Sequence, residues 1–169
     1  THSQRVNTII ETILELSRRR PKQISSIAAA ALIEQCLAER ELETERQQDQ
    51  IEIAVEVNFN MHIDIHQIKQ ALHNLIANGL YYSGLQVGQR RLRLSTGELS
   101  GSEQYYLDIE DEGLGVPGDQ IKNLFEPFYT TEHSGTGLGL YIAKELCEAN
   151  RLKLSYVQNR RGGCFRIVF

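Results

Sequence analysis

Apolar residues recur at Val6, Ile9, Ile10, Ile13 and Leu14, the spacing of a helix with one apolar stripe. Arg18, Arg19 and Arg20 stand where the C-terminal dipole of that helix favours positive charge, and Pro21 ends it. A stripe of this length, cut off by a proline, predicts a helix that packs on a partner helix rather than on the following core. A short extended piece over 22–24 leads into an Ala-rich helix that Ser25 or Ser26 would cap and that runs into the low forties. Ile51, Ile53, Val55 and Val57 alternate with Glu52, Ala54 and Glu56, which predicts a half-buried strand over 51–57; a shorter strand follows over 62–65. Ile65, Ile68, Leu72, Leu75, Ile76 and Gly79 return to helical spacing and predict a helix over 65–82. Residues 91–94 and 105–111 alternate as strands around the polar loop 97–103. After a glycine-rich stretch over 113–139, a helix is expected over 138–150, and strands over 153–157 and 164–169 flank Asn159-Arg160-Arg161-Gly162-Gly163, a hairpin signal. Helices interspersed with hairpin-paired strands predict an α+β fold, a mixed or antiparallel sheet with helices on one face.

Composition narrows the function classes. A chain of 169 residues, 41% hydrophobic and 24% charged, can bury a sizeable core and is neither disordered nor fibrous. The net charge of −4 gives no electrostatic drive towards nucleic acid, so no nucleic-acid partner is expected. The longest apolar run, 27–33, is far too short to span a bilayer. Cys36, Cys147 and Cys164 are odd in number and lack CxxC spacing, so they predict neither disulfides nor a zinc site, and a reducing cytosol fits them best. The absence of an initiator Met and the immediate entry into a helical pattern suggest a piece of something longer.

Three segments carry candidate chemistry. Asn74, Asn78 and Tyr82 lie four apart on one helical stripe bordering the apolar face. Two asparagines and a glycine inside a helix cost about 2 kcal/mol of propensity relative to alanine, which something must offset. Asn78 could supply a neutral amide oxygen to a nucleotide's Mg²⁺, or these amides could bond neighbouring backbone. In the second segment, Asp111 ends a strand and is followed by Gly113 and Gly115, whose freedom of φ lets a turn wrap a flat ligand. An ionised carboxylate only accepts hydrogen bonds, so Asp111 would favour an exocyclic amino group, as on adenine; an Asp-Gly surface turn is the plainer alternative. In the third, Gly135, Thr136, Gly137, Leu138 and Gly139 immediately precede a helix, where freed backbone N–H groups cradle phosphate oxygens. Six of the thirteen glycines fall in 113–139, which implies a flexible lid, anchored by the 125–128 cluster and mobile over 130–134.

Two rival motifs fare worse. Gly113, Gly115 and Gly118 match GxGxxG, with Glu132 near the place of a ribose-binding acid, yet Pro117 and Pro127 interrupt the helix and strand that a dinucleotide fold needs there. His62, Asp64 and His66 alternate as metal ligands would, but a helix start near Ile65 and the lack of a second cluster leave them as solvated or hydrogen-bonded side chains.

Taken in order, the three candidate segments and the 125–128 cluster resemble the ATP-binding catalytic domain of bacterial sensor histidine kinases, within the gyrase, Hsp90 and MutL ATPase superfamily. The resemblance covers 22–169 and rests on four boxes: 74–83 as the N box, 111–115 and 135–140 as glycine boxes, and 125–128 as the F box. It implies a Bergerat-type fold, a two-layer α/β sandwich with a mixed, mostly antiparallel sheet and helices on one face, preceded by an N-terminal helix. Residues 1–20 look like the second helix of the dimerisation and phosphoacceptor hairpin that precedes this domain in the family. Asn78-Gly79-Leu80, the short lid Phe128-Tyr129-Thr130-Thr131-Glu132 and Gly162-Gly163-Cys164-Phe165-Arg166 look most like the sensor kinases of type IV pilus systems.

The resemblance implies ATP and Mg²⁺ as ligands. Asn78 would hold the metal, Asp111 the adenine amino group, Tyr82 would pack near adenine, and the backbone of Gly135, Thr136, Gly137, Leu138 and Gly139 would hold phosphates. Asn74, Gly113, Gly115 and Thr131 complete the expected ATP-binding set. Tyr81 and Glu132 depart from the family, which often has Lys or Arg and Lys there, and this puts phosphate contacts from those positions in question. Implied partners are the phosphoacceptor hairpin and a response regulator, within a membrane-associated homodimeric parent of the bacterial inner membrane whose catalytic part faces the cytoplasm.

Hydrolytic members of the superfamily carry a Glu one turn before the metal-binding Asn, where this chain has Asn74, and an amide cannot act as a base towards water. Transfer of the γ-phosphate to a histidine is therefore expected over hydrolysis. None of His2, His62, His66, His73 and His133 is followed by the acid, Arg and Pro pattern of the acceptor helix, so the acceptor is expected outside this sequence. A nucleotide-sensing module without transfer activity, and an ATPase of the same superfamily, are the alternatives.

Overall fold

The structure, a computed structural model, describes residues 21–43, 49–131, 135–158 and 162–169. The helix expected over 1–20 lies outside them, as do Glu132 and His133. Strand β1 (Ile24–Ala28) is followed by helix α1 (Ala29–Glu43), β2 (Asp49–Val55), β3 (Asn60–Asp64) and helix α2 (Ile65–Val87). The chain continues through β4 (Arg90–Glu98), β5 (Tyr105–Asp111), a 3-10 turn (Ile121–Asn123), helix α3 (Gly139–Ala149), β6 (Lys153–Tyr156) and β7 (Cys164–Val168). The main sheet has the order β2-β4-β5-β7-β6, with β2 and β4 parallel and the remaining pairs antiparallel. β1 and β3 form a separate antiparallel ribbon. This is the expected α+β architecture with a mixed, mostly antiparallel sheet.

Several boundaries differ from expectation: β4 runs on to Glu98, into the stretch expected as a loop, and α1 starts later than expected. Ser25 and Ser26 do not cap a helix; they pair with Ile63 and His62 in the ribbon. The start of α1 is served from a distance, by the Asn58 side-chain oxygen accepting from Ala30 N (3.0 Å) and by Phe59 O accepting from Ala29 N (2.9 Å). Strand pairing outweighed a local cap signal.

Helix α2 is the central element. Asp64 caps its first turn, its Oδ1 accepting from Gln67 N at 3.2 Å, while Oδ2 accepts from Gln23 N at 3.1 Å. Asp64 thereby serves as a helix cap, and His62, Asp64 and His66 form no group of metal ligands among the described residues. The helix runs beyond the expected Tyr82 to Val87 and stops where Gly88 takes a φ of 66°, a left-handed conformation suited to glycine. Ser83 explains the extension. Buried between helix and sheet, its Oγ donates to Gln89 O (3.1 Å) and accepts from Arg91 N (3.0 Å), tying the extra turn to the start of β4.

The inner face of α2, with Ile68, Leu72, Leu75, Ile76 and Leu80, packs on Leu92, Leu94, Leu107, Ile109 and Ile167 of the sheet, and α3 adds Ile142, Ala143 and Leu146. Cys36, Cys147 and Cys164 are free and buried, and burial pushes each thiol up to about 12, which makes them inert packing groups. No helix among the described residues is long and apolar enough to cross a membrane.

Gly79 fixes how close α2 lies to the sheet. A Cβ there would stand 2.5 Å from Leu92 Cδ1. Gly79→Ala should lower stability, because overpacking of this kind costs about 1–3 kcal/mol and outweighs the roughly 1 kcal/mol that alanine gains in a helix. A thermal melt checks this, and an unchanged or higher midpoint would show that the contact is not tight.

Candidate functional site

The close approach of α2 to the end of β5 leaves a cavity of about 440 Å³ on the sheet's helix-covered side, within the range typical of small-molecule sites. Asn74, Asn78, Tyr81 and Tyr82 of α2 form one wall, Asp111 stands at the back, and Gly115, Val116 and Pro117 turn around a second side. Thr131, Gly135, Thr136, Gly137 and Gly139 close the far end, and Gly163 and Phe165 of the β6–β7 segment contribute to the lining.

Asp111 is buried, with 7% of its surface exposed. Its Oδ1 accepts from Gly113 N (2.7 Å) and Gly163 N (3.0 Å), and its own N–H donates to Gly163 O (2.9 Å). Oδ2 has no hydrogen-bond partner among the described residues and stays available as an acceptor at the cavity wall. Burial raises the carboxyl above the usual aspartate range, and the two backbone donors only partly offset it. Glycine is needed on both sides of this group. A Cβ on Gly163 would lie 2.4 Å from Oδ2, and one on Gly113 would lie 2.8 Å from Oδ1. Gly113 is not itself part of the lining; its N–H holds Asp111 instead.

The amides of Asn74 and Asn78 make no hydrogen bond to any described residue, which removes the alternative that they bond neighbouring backbone. They line the cavity uncommitted. Tyr82 reaches the lid, its hydroxyl 3.2 Å from Thr131 Oγ1. Tyr81 also lines the wall and meets the Tyr82 ring edge-on, at 5.3 Å between centroids.

The F-box cluster makes its contacts in two ways. Phe125 anchors by its side chain, edge-on to Phe165 at 6.1 Å, whereas Phe128 is 58% exposed and holds on by its backbone. Phe128 N donates to Gly137 O at 2.9 Å, and both residues have positive φ, 66° and 68°. A Cβ on Gly137 would stand 2.5 Å from the Phe128 carbonyl carbon, so this glycine lets the two ends of the lid touch. Leu138 is buried in the core, leaving only its backbone for the cavity side, and its N–H donates to Thr136 Oγ1 at 3.4 Å. Gly139 opens helix α3. Expected mobility over 130–134 concerns residues that lie largely outside those described.

The dinucleotide reading finds no support in the fold. Past Gly118 the chain makes a 3-10 turn, and β5 pairs antiparallel on both edges. Sequence reasoning missed Tyr156, Gly163 and Phe165 as cavity residues, having read their segment only as a hairpin and a resemblance. Tyr156 Oη accepts from Val116 N at 2.9 Å and so braces the 113–118 turn from β6. Among the described residues no group of three or more His, Cys, Asp or Glu side chains could hold a metal.

Residues 63–169 match the family described as histidine kinase-, DNA gyrase B-, and HSP90-like ATPase. The chain is 40% identical over 169 residues to the sensor protein kinase PilS of Pseudomonas aeruginosa, covering 99% of this chain and 32% of PilS. It is 30% identical over 147 residues to the signal transduction histidine-protein kinase AtoS of Escherichia coli, covering 86% of this chain and 24% of AtoS. It thus spans about a third or less of the length of these relatives. The fold is shared with the catalytic domain of the histidine kinase ThkA (TM-score 0.72, 19% identity, 87% of this chain and 95% of that one). It is also shared with ThkA in complex with the response regulator TrrA (TM-score 0.79, 20% identity, 99% of this chain and 48% of that one). With a cavity built from an amide-bearing helix, a strand-end aspartate and two glycine turns, the chain belongs to the histidine kinase-, DNA gyrase B-, and HSP90-like ATPase family and is an ATP-binding catalytic domain of the sensor histidine kinase kind.

Proposed function

We propose that this domain binds Mg-ATP in the cavity beside Asp111 and donates the γ-phosphate to a histidine on a phosphoacceptor hairpin, for onward transfer to a response regulator. In this reading Asp111 Oδ2 accepts from the adenine amino group, Tyr82 packs near the base, and Gly115 shapes the turn around it. The backbone of the Gly135–Gly139 stretch, leading into α3, holds phosphate oxygens at a helix start. The cavity fits a phosphate-bound cation: Asn78 offers an uncommitted neutral oxygen, and a hard cation takes its remaining ligands from phosphates and water. When bound, Mg²⁺ supplies charge neutralisation on the transferred phosphoryl group.

The observation that carries transfer over hydrolysis is the lining itself. Asp111 is the sole carboxylate among the described lining residues, and its Oδ1 already accepts from two backbone N–H groups, while this reading assigns its Oδ2 to the base. Asn74 stands where a water-activating acid would be needed and cannot take a proton. With no base for water among the described lining residues, positioning of an incoming imidazole sets the outcome. Membership of a type IV pilus sensor system is supported by the 40% identity to PilS, and the parent is read as a membrane-associated homodimer with this domain on the cytoplasmic side.

The test is to supply γ-labelled ATP, Mg²⁺ and an acceptor hairpin in trans. Phosphohistidine should form on the hairpin, and the chain alone should incorporate no label. Steady phosphate release without a hairpin would identify an ATPase, and nucleotide binding with neither product would identify a sensing module.

A further inference from the structure

Asp111 offers the cavity an acceptor. A second polar group stands at the same wall. The hydroxyl of Tyr156 lies beside the 113–118 turn, where a Cβ added to Gly115 would be 3.1 Å from it, and it accepts the N–H of Val116 at 2.9 Å. That bond uses a lone pair and leaves the hydroxyl proton unassigned, because no described residue accepts it. The ring is fixed edge-on to Phe165 at 5.5 Å, and both rings line the cavity. The position of the oxygen is therefore set by two independent contacts. Burial raises the Tyr156 hydroxyl above the usual tyrosine range, and the Asp111 charge adds to this, so the group stays protonated and able to donate at neutral pH.

We infer that Tyr156 is a second base-reading residue of this site, its hydroxyl donating to the unprotonated ring nitrogen beside the amino group that Asp111 accepts from. This rests on the reading of the cavity as an ATP site. An acceptor next to a donor complements the amino and ring-nitrogen edge of adenine. It opposes the keto and ring N–H edge of guanine at both positions. A site built to hydrogen-bond both groups discriminates more strongly than one that reads the amino group alone, because the wrong base leaves buried polar groups unpaired. Tyr156 also braces the turn, so a loss of overall affinity on mutation would not separate the two roles.

The experiment is a two-by-two calorimetric comparison of wild type and Tyr156→Phe, each with ATP and with 1-deaza-ATP, which lacks the ring acceptor. Wild type should bind 1-deaza-ATP about 5–10-fold more weakly than ATP, the expected scale of one neutral hydrogen bond. Tyr156→Phe should bind the two nucleotides equally, whatever its overall affinity. Equal binding of both by wild type overturns the proposal without any variant, and so does a Tyr156→Phe protein that keeps the full difference. Failure of wild type to bind ATP at all would instead reject the underlying reading of the cavity.

Discussion

Asp111→Asn should reduce ATP affinity by at least about 100-fold while leaving the ligand-free domain as stable as wild type or more so. The affinity loss has two parts. A hydrogen bond to a charged acceptor contributes about 1.5–3 kcal/mol, and ~1.4 kcal/mol corresponds to tenfold. An asparagine in the same rotamer keeps its oxygen towards Gly113 N and Gly163 N and turns its NH₂ to the cavity, where it faces the base's own amino group, donor against donor. The stability prediction follows from the sign of the pKa shift. Burial raises Asp111 above its unfolded value, so its contribution to folding is fully present below the unfolded pKa and is lost as pH rises through the folded one. At neutral pH the ionised carboxylate is thus a cost to the empty fold, and the neutral amide removes it. The same shift gives ATP binding an opposite slope. Through the raised Asp111 pKa the Asp111 contribution to affinity should rise with pH, as the acceptor ionises, while its contribution to ligand-free stability falls. Both contributions should be missing from Asp111→Asn and are read as the difference between wild type and variant, because Glu39 and Asp49, whose carboxyls are held below the usual range, and the nucleotide's own phosphate titrate in both proteins. Calorimetry and melts between pH 4 and 7 measure them, and a variant that retains ATP affinity would show that Asp111 does not read the ligand.

What the sequence revealed depended on whether a signal was local. Asn74, Asn78 and Tyr82 were legible because helical spacing alone puts them on one stripe, and Asp111 because a strand pattern ends there into glycines. The ribbon strand Ile24–Ala28 was misread, since Ser25 and Ser26 satisfy a local cap rule and only a distant partner, β3, turns that stretch into a strand. Gly79 enters the sequence reading only as a helix-propensity cost, whereas in the fold it faces Leu92, a contact across layers that no window contains. Tyr156 and Gly163 escaped for the same cause. They join the site because β7 pairs with β5, which brings Gly163 beside Asp111 from a position 52 residues along the chain. How the 125–128 cluster holds on was not legible: Phe125 packs by its ring, whereas Phe128, 58% exposed, makes its contact through the backbone.

Asn78→Ala should abolish the magnesium dependence of ATP binding and cut phosphotransfer to a hairpin supplied in trans by about 100-fold or more, on the scale of losing preorganised charge neutralisation of a phosphoryl group. The argument starts from what Asn78 does not do. Its amide holds no described protein group, so truncation breaks no protein contact and leaves no orphaned partner. Alanine is also the better helix former, by about 0.7 kcal/mol, so the melt of the empty domain should stay level or rise slightly. A fall in function without a fall in stability then locates the loss at the ligand. Magnesium titration sharpens it. Wild type should bind ATP more tightly as Mg²⁺ is added, and Asn78→Ala should bind with the weaker, metal-free affinity throughout. Asn74→Ala provides the contrast, since an amide one turn earlier that is not a base should leave the Mg²⁺ enhancement in place. Equal enhancement by Mg²⁺ in wild type and Asn78→Ala would remove Asn78 from the metal's coordination and, with it, the proposed way this cavity holds a triphosphate.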